Sequence, residues 1–400
     1  MRMRSSLALV SLGALAASCA STPTPGPGPT TQAPRPAEVQ FALAPAQFSD
    51  LPGWQTADLA PALIAFQRAC ATRALRSPAS AMASNGRYGG TVADWQPACT
   101  AATQVAPGGE RVFFESYFTP ALVQGAGEAR LTAYYEPMIE VRRQPEPGFT
   151  EPLLRRPNDM VSIDVAAFAD AYDNDALRGA PRRLMGKLDG LNVEPYPKRS
   201  DITAQPGQAF AYANPADVYN LQVQGSGRIA FPDGVQERAS YAAQNGYRWS
   251  SALTPLRDAG QLPGGATWDN FKAWVNTHST DETHAALSVD PSYVFFQEEL
   301  ITDPSLGPRG AAGANLTALG SVAVDPDYHP YGALVYVDGT YDGAPFDHLL
   351  VAQDTGGAIR RGPLRGDVFF GSGPEAGQAA ERMNAPARWW TLLPKGAPTA

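Results

Sequence analysis

Val351-Ala-Gln-Asp-Thr-Gly-Gly-Ala-Ile359, followed after a short basic stretch by Arg365-Gly-Asp-Val-Phe-Phe-Gly371, is the segment on which the fold of this 400-residue chain turns. In each half a short apolar run meets an Asp and at least one Gly, the composition of strands that end at a tight turn. Working outward, Ser321–Val324, Leu334–Val337, Leu349–Ala352, Val368–Phe370 and Trp389–Leu393 are short apolar runs separated by Gly, Pro and Asp. That spacing predicts a small barrel or sandwich. Pro374, followed by Glu375 and the apolar Ala376, Ala379, Ala380 and Met383, predicts one short helix after the fourth run.

Towards the N-terminus, Leu59, Leu63, Phe66 and Cys70 recur at helical spacing, with Thr56 as the expected N-cap and Cys70 on the buried face. A further helix is expected over Phe113–Val123, interrupted by Pro120, then a strand over Leu131–Pro137. Asp164–Leu177, Thr267–Thr277 and Asp281–Leu287 read as helices, whereas Asn220–Arg228 alternates amide and apolar residues and reads as a strand. Composition agrees with a β-rich protein. Hydrophobic residues make up 44% and charged residues 18%, enough to build cores, and 38 Gly with 37 Pro disfavour a long-helix bundle. A net charge of -8 argues against a polyanion-binding surface, so nucleic acid is excluded as the main partner.

Arg2 and Arg4 precede the apolar run Leu7–Ala17, which stops at small residues and Cys19, the layout of an export signal over residues 1–18. The run is too short for the roughly 20 residues that span a bilayer. Ala16-Ala17-Ser18-Cys19 is similar to a bacterial lipoprotein processing site, which makes Cys19 the lipid anchor; ordinary signal cleavage nearby is the alternative. Residues 19–39 then form a Pro-rich tether. In an oxidising compartment Cys70 and Cys99 are an expected disulfide, two buried free thiols being the alternative. The four histidines show no ligand spacing, so no metal is expected. Gly225-Ser-Gly227 and Gly371-Ser-Gly373 complete no nucleotide fingerprint, and no cofactor is expected.

Asp354 is the main candidate for chemistry. A carboxyl at the end of an apolar strand, beside Gly356 and Gly357, is held where burial favours its neutral form, as general acid work requires. An Asx-turn is the bland reading. Asp367 offers a second carboxyl, as in two-carboxylate glycosidases, or an ion pair with Arg361 or Arg365. Any contact of those arginines with Asp354 would spoil the acid, so they are expected to point away from it. Tyr134, Tyr135, Trp249, Trp389 and Trp390 are candidate stacking platforms for sugar rings.

Six motifs in order carry a resemblance: Thr132-Ala-Tyr-Tyr-Glu-Pro137, Val223-Gln-Gly-Ser-Gly227, Asp290-Pro-Ser-Tyr-Val-Phe-Phe296, Gly320-Ser-Val-Ala323, Asp354-Thr-Gly-Gly-Ala-Ile359 and Gly371-Ser-Gly-Pro-Glu-Ala-Gly377. Together they resemble the membrane-bound lytic murein transglycosylase A family. The resemblance implies a mainly β protein with some helices, in which a double-psi β-barrel domain (40–138 plus 290–395) is interrupted by a second β-rich domain (139–289), with a groove between them. It implies cleavage of the β-1,4 bond between N-acetylmuramic acid and N-acetylglucosamine in peptidoglycan without water, leaving 1,6-anhydro ends. Asp354 falls on the family's catalytic Asp. Thr132, Tyr135, Gln224, Gly225, Ser226, Gly356, Gly357 and Asp367 fall on groove-lining positions. The implied location is the periplasm, at the outer membrane, with glycan strands and the membrane as partners; a protein partner in a cell-wall synthesis complex has no signal in the residues. A hydrolytic glycosidase using both Asp354 and Asp367, and a non-catalytic glycan-binding lipoprotein, are the competing classes.

Overall fold

The computed structural model describes residues 41–83, 87–126, 129–178, 180–181, 183–359 and 362–397. The expected export signal, Cys19 and the Pro-rich tether lie outside the described residues, as do Arg360 and Arg361. No helix among the described residues is long and apolar enough to cross a membrane.

A nine-stranded sheet holds the C-terminal runs. Its order is Ala42–Pro45, Phe118–Gln124, Arg388–Pro394, Leu334–Tyr341, Ala344–Asp354, Ser321–Val324, Arg365–Ser372, Arg130–Glu136 and Asn384–Ala385. Ser321–Val324 runs parallel to Ala344–Asp354, and Arg365–Ser372 runs parallel to Arg130–Glu136, which requires crossing connections. The runs are mostly apolar because both faces are covered. Leu334, Tyr336, Leu349 and Val351 pack with Leu63, Phe66, Trp95, Phe114 and Phe118 under the N-terminal helices, while their neighbours Val335, Val337, Leu350 and Ala352 enter a second core with Val322, Val368 and Trp389. Trp389 and Trp390 are therefore core residues and do not serve as sugar platforms.

Cys70 and Cys99 form a disulfide between helices Ala60–Arg73 and Val92–Ala102, with Cα atoms 5.5 Å apart. Cys70 is half-buried, less than its place in the helical pattern predicts. The buried Arg73 guanidinium donates to Cys99 Sγ at 3.0 Å and to the Gly332 carbonyl at 2.9 Å, tying these helices to the sheet.

Four local expectations are corrected. Thr56 does not cap the first helix; its hydroxyl donates to the Gly53 carbonyl, and the helix begins at Ala60, whose N–H donates to Asp58 Oδ1. The helix expected over 113–123 is Glu110–Tyr117, and Phe118–Gln124 is a strand. Pro120, which has no N–H for a helix, instead offers its carbonyl to Ala46 N–H. Asn220–Gln224 belongs to helix Pro215–Gln224, because Asn214 caps it through Ala216 N–H, Pro215 pre-sets its first turn, and Gly225 ends it at φ 86°. Only Gly227–Ala230 of that stretch is a strand. The helix expected over 164–177 is broken into Val165–Ala171 and Asp175–Arg178, with Asp173 between them at φ 46°.

The intervening segment forms separate sheets. Val294–Leu300, Gln236–Gln244, Gly227–Ala230 and Met138–Glu140 make a four-stranded sheet, beside the pair Glu151–Leu154 and Ala209–Ala213 and the triplet Met160–Asp164, Arg183–Asp189 and Asn192–Pro195. Val294–Leu300 lies on the barrel side of the boundary expected at 290, yet it pairs with Gln236–Gln244.

Glu136 joins the two sheet systems. It ends a strand of the large sheet, Met138 begins a strand of the small one, and its side chain is 0% exposed. Arg228 Nε donates to Glu136 Oε2 at 2.9 Å, Arg238 Nε donates to Oε1, and Ser372 Oγ donates to Oε2. The guanidinium groups go on to the Pro304 carbonyl at 2.7 Å and the Leu306 carbonyl at 2.8 Å. A buried ion cluster is costly to form and costlier to break from one side. Glu136→Gln is expected to destabilise the protein by about 3 kcal/mol, because the buried Arg228 guanidinium loses its counter-charge and Arg238 keeps only Glu299 at 3.3 Å; thermal unfolding measures it.

His329 predicts an acid limit. It is fully buried, its Nε2 meets the Pro363 carbonyl at 2.7 Å, and its Nδ1 meets the Tyr88 hydroxyl at 2.7 Å. A carbonyl only accepts, so Nε2 carries the hydrogen and Nδ1 accepts from Tyr88, the neutral tautomer. Burial pushes the imidazole down to about 4. The folded value lies below the unfolded one, so the stabilisation is complete above about pH 6.5 and is lost as pH falls towards 4, amounting to about 3 kcal/mol. Unfolding midpoints of His329→Gln are expected to depend less on pH across that window than those of the parent.

Candidate active site

The site is built from one row of residues across the large sheet. Ala323 pairs with Asp354 on one side and with Asp367 on the other, Asp367 pairs with Thr132, and Thr132 pairs with Asn384. Side chains in register share a face, so both acids flank the small Ala323, with Cα atoms about 10 Å apart from two inter-strand spacings.

A bulge aims Asp354. The register runs Val322 with Ala352 and then Ala323 with Asp354, so Gln353 is the extra residue. Gln353 is completely buried and tied down, its Nε2 donating to the Ala65 carbonyl at 3.0 Å and its Oε1 accepting from the Ser321 hydroxyl. The acid that follows is half-buried. Its Oδ1 accepts from Ala311 N–H at 3.0 Å and from Thr355 N–H at 2.9 Å, and its Oδ2 accepts from the Tyr134 hydroxyl at 2.8 Å.

Burial pushes the Asp354 carboxyl upward, against the three hydrogen bonds that favour its charge. Asp367 is also pushed up by burial and by the charge of Asp354; the Thr132 hydroxyl and Arg365 oppose this. Thr132 Oγ1 donates to Asp367 Oδ1 and accepts from Arg365 Nη2 at 2.8 Å. The expected Arg365–Asp367 relation thus runs largely through Thr132. Arg365 also donates to the Gly366 carbonyl. Tyr134 is pushed well above its usual value, first by burial and then by Asp354, so it remains a neutral donor.

The candidate residues divide into two groups along strand Arg130–Glu136. Thr132 lies with Asp354 and Asp367; Gly356, half-buried, and Gly357, exposed, form the turn after Asp354. The pleat turns Tyr135 to the other side of the strand. There its hydroxyl accepts from Asn220 Nδ2 at 2.8 Å, and its N–H donates to Gln224 Oε1 at 3.3 Å. Gly377 fits against this ring closely, since a Cβ there would stand 2.7 Å from it. Gln224 and Gly225 are half-buried at the helix end, whereas Ser226 is 8% exposed and its hydroxyl accepts from Tyr241 N–H, a structural role in the strand junction. Trp249 is 37% exposed and makes no contact with this group in the described contacts.

The sequence presents Tyr134 as a stacking ring and Asn220 as one of a row of amides, and gives no sign of Ala311 or Gln353. A backbone N–H contributed by a loop leaves no side-chain signal, and the bulge that brings Gln353 into play is a property of strand register. Among the described residues no three His, Cys, Asp or Glu side chains are grouped to hold a metal ion.

Comparison with known proteins gives a consistent result. The family model for the MltA specific insert domain matches residues 130–297, and the 3D domain model matches residues 320–393. Membrane-bound lytic murein transglycosylase A of Escherichia coli K12 is 31% identical over 288 residues, covering 68% of this chain and 67% of that protein. The crystal structure of a membrane-bound lytic murein transglycosylase from Agrobacterium tumefaciens superposes with a TM-score of 0.73 at 31% identity, covering 88% of this chain and 98% of that one. MltA from Neisseria gonorrhoeae gives a TM-score of 0.72 at 27% identity, covering 90% and 95%.

Proposed function

The chain belongs to the membrane-bound lytic murein transglycosylase A family, and from that footing we propose that Asp354 alone carries its proton chemistry. The protein is a lytic transglycosylase acting on peptidoglycan. Its bond is the β-1,4 link between N-acetylmuramic acid and N-acetylglucosamine, and its products end in 1,6-anhydromuramic acid.

The observation that carries the assignment is the Asp354 carboxyl itself, raised by burial, with one oxygen saturated by backbone N–H groups and the other open beyond a single phenol. Neutral at rest, it protonates the leaving glycosidic oxygen as the C1–O4 bond breaks and positive charge develops at the muramic C1. The carboxylate so formed takes the proton from the same sugar's C6 hydroxyl, whose oxygen bonds to C1. One bond is broken and one formed, the proton returns to Asp354, and no water enters. An internal hydroxyl held close to C1 has an effective-molarity advantage over bulk water.

Asp367, tied to Thr132 with Arg365 beyond, acts as a binding residue for the sugar beside the scissile bond, together with Gly356 and Gly357. Tyr135, Gln224 and Gly225 hold rings farther along the strand. We assign the catalytic barrel to 40–138 plus 290–395, with residues up to about 300 pairing into the inserted part. Cys19 carries the lipid, the Pro-rich stretch is a tether, and the location is the periplasmic side of the outer membrane.

Three outcomes are expected. Asp354→Asn abolishes turnover of purified peptidoglycan but still binds it, whereas Asp367→Asn slows turnover and still yields anhydro ends by mass spectrometry of the muropeptides. Reducing ends would instead identify a two-carboxylate hydrolase, and turnover by Asp354→Asn would remove that residue from its role. Cys19→Ala is expected to shift the protein from the membrane to the soluble fraction of the cell envelope.

A further inference from the structure

Asp354 is held asymmetrically. Both hydrogen-bond donors at Oδ1 are backbone N–H groups, from Ala311 and Thr355, and neither can turn to accept. A proton placed on Oδ1 would displace one of them and leave a main-chain donor unpaired in a sheltered place, which is disfavoured. Oδ2 has one partner in the described contacts, the Tyr134 hydroxyl at 2.8 Å. A second lone pair on Oδ2 is left for the transferable proton.

The tyrosine is placed independently of the acid. Tyr134 is in register with Phe369 on the neighbouring parallel strand, and their rings pack with centroids 5.4 Å apart. The hydroxyl is therefore presented to Asp354 by the sheet, not by a mobile loop.

We propose that Tyr134 is a positioning residue for the acid: the backbone donors at Oδ1 leave the transferable proton to Oδ2, and the Tyr134 hydroxyl holds that oxygen in place and stabilises it as it becomes charged. The proposal rests on the reading of Asp354 as the general acid. Beside a neutral carboxyl the phenol makes an ordinary hydrogen bond. As the proton passes to the glycosidic oxygen, the same contact becomes charge-assisted and about twice as strong. An interaction that strengthens between ground and transition state accelerates the step. When the carboxylate later recovers a proton from the C6 hydroxyl, it does so at the same oxygen, because Oδ1 remains occupied.

Among the described residues, the other charged groups facing this acid are Asp367, across Ala323, and Arg365 beside Asp367. Both stay in place when only the phenol is altered.

The test uses the full-length protein and purified peptidoglycan. Tyr134→Phe keeps the ring against Phe369 and removes only the donor. Its kcat is expected to fall by about 10–100-fold with KM little changed, a loss of the size seen for single transition-state donors or somewhat smaller. The alkaline limb of kcat/KM is expected to move to higher pH, because the lost bond favoured the charged form of Asp354. Replacing Tyr134 by 3-fluorotyrosine, a stronger donor of nearly the same shape, is expected to move that limb to lower pH. Loss of packing cannot produce shifts of opposite sign. If both limbs stay where the parent has them while Asp354→Asn is inactive, the role of Tyr134 is overturned and the acid stands. If Asp354→Asn turns over, the acid assignment fails and the proposal with it.

Discussion

Glu136 and the two arginines that face it hold one part of the molecule to the other. The chain crosses from the large sheet to the inserted sheets within two residues of this carboxylate. Arg228 and Arg238 come from the inserted side, Ser372 from the large sheet, and the arginines' remaining hydrogen bonds reach the segment around Pro304 and Leu306. Four lengths of chain converge on one buried anion. Ion clusters of this kind contribute little net stability compared with apolar packing, but they penalise any arrangement in which one partner is missing. The same strand that Glu136 ends supplies Thr132 and Tyr134 to the acids and Tyr135 to the helix end at Gln224. Register along this strand therefore sets the relation between the reacting centre and the more distant contacts.

At Asp354, shelter and hydrogen bonding oppose each other. Burial alone would make Asp354 a poor donor of its proton, because the resulting charge would be unsupported. Two backbone N–H groups and a phenol support that charge without cancelling the upward push. The geometry depends on Gln353, a residue with no part in the chemistry. As the extra residue of a bulge it is locked to Ala65 and Ser321, and the next side chain is turned towards its donors.

The fold was largely legible in the sequence where burial is two-sided. Ser321–Val324 and Trp389–Leu393 are apolar but for Ser321 and Thr391, and the structure makes them interior strands buried at every position. Pro374 marked its helix because its missing N–H is harmless at a first position. Legibility failed where short-range patterns competed. Asn220–Gln224 alternates like a strand for too few residues to decide, and the stronger signals were Asn214-Pro215 before it and Gly225 after it. At Phe113–Val123 a helical spacing hid a strand whose partner, Arg388–Pro394, lies at the far end of the chain. Asp354, Asp367 and Thr132 are marked in the sequence as candidates by their chemistry and motifs, and the structure brings them into one row of the sheet. Tyr134 was readable only as an aromatic ring, since its bond to the acid follows from register and a bulge. At Ser226 the motif suggests a ligand contact, and register adds what the sequence does not show: the hydroxyl accepts from Tyr241 N–H.

The pairing of Phe118–Gln124 with Arg388–Pro394 bears on how the protein reaches its native state. Leu392 lies opposite Pro120, roughly 270 residues apart along the chain. Closing so long a loop is entropically slow, and contacts of this kind dominate the time a polypeptide needs to fold. The central strand order cannot be completed until the last strand has been synthesised and brought alongside the first ones. Until then the edge of Phe118–Gln124 that Arg388–Pro394 takes is unpaired, which builds a delay into the completion of the large sheet.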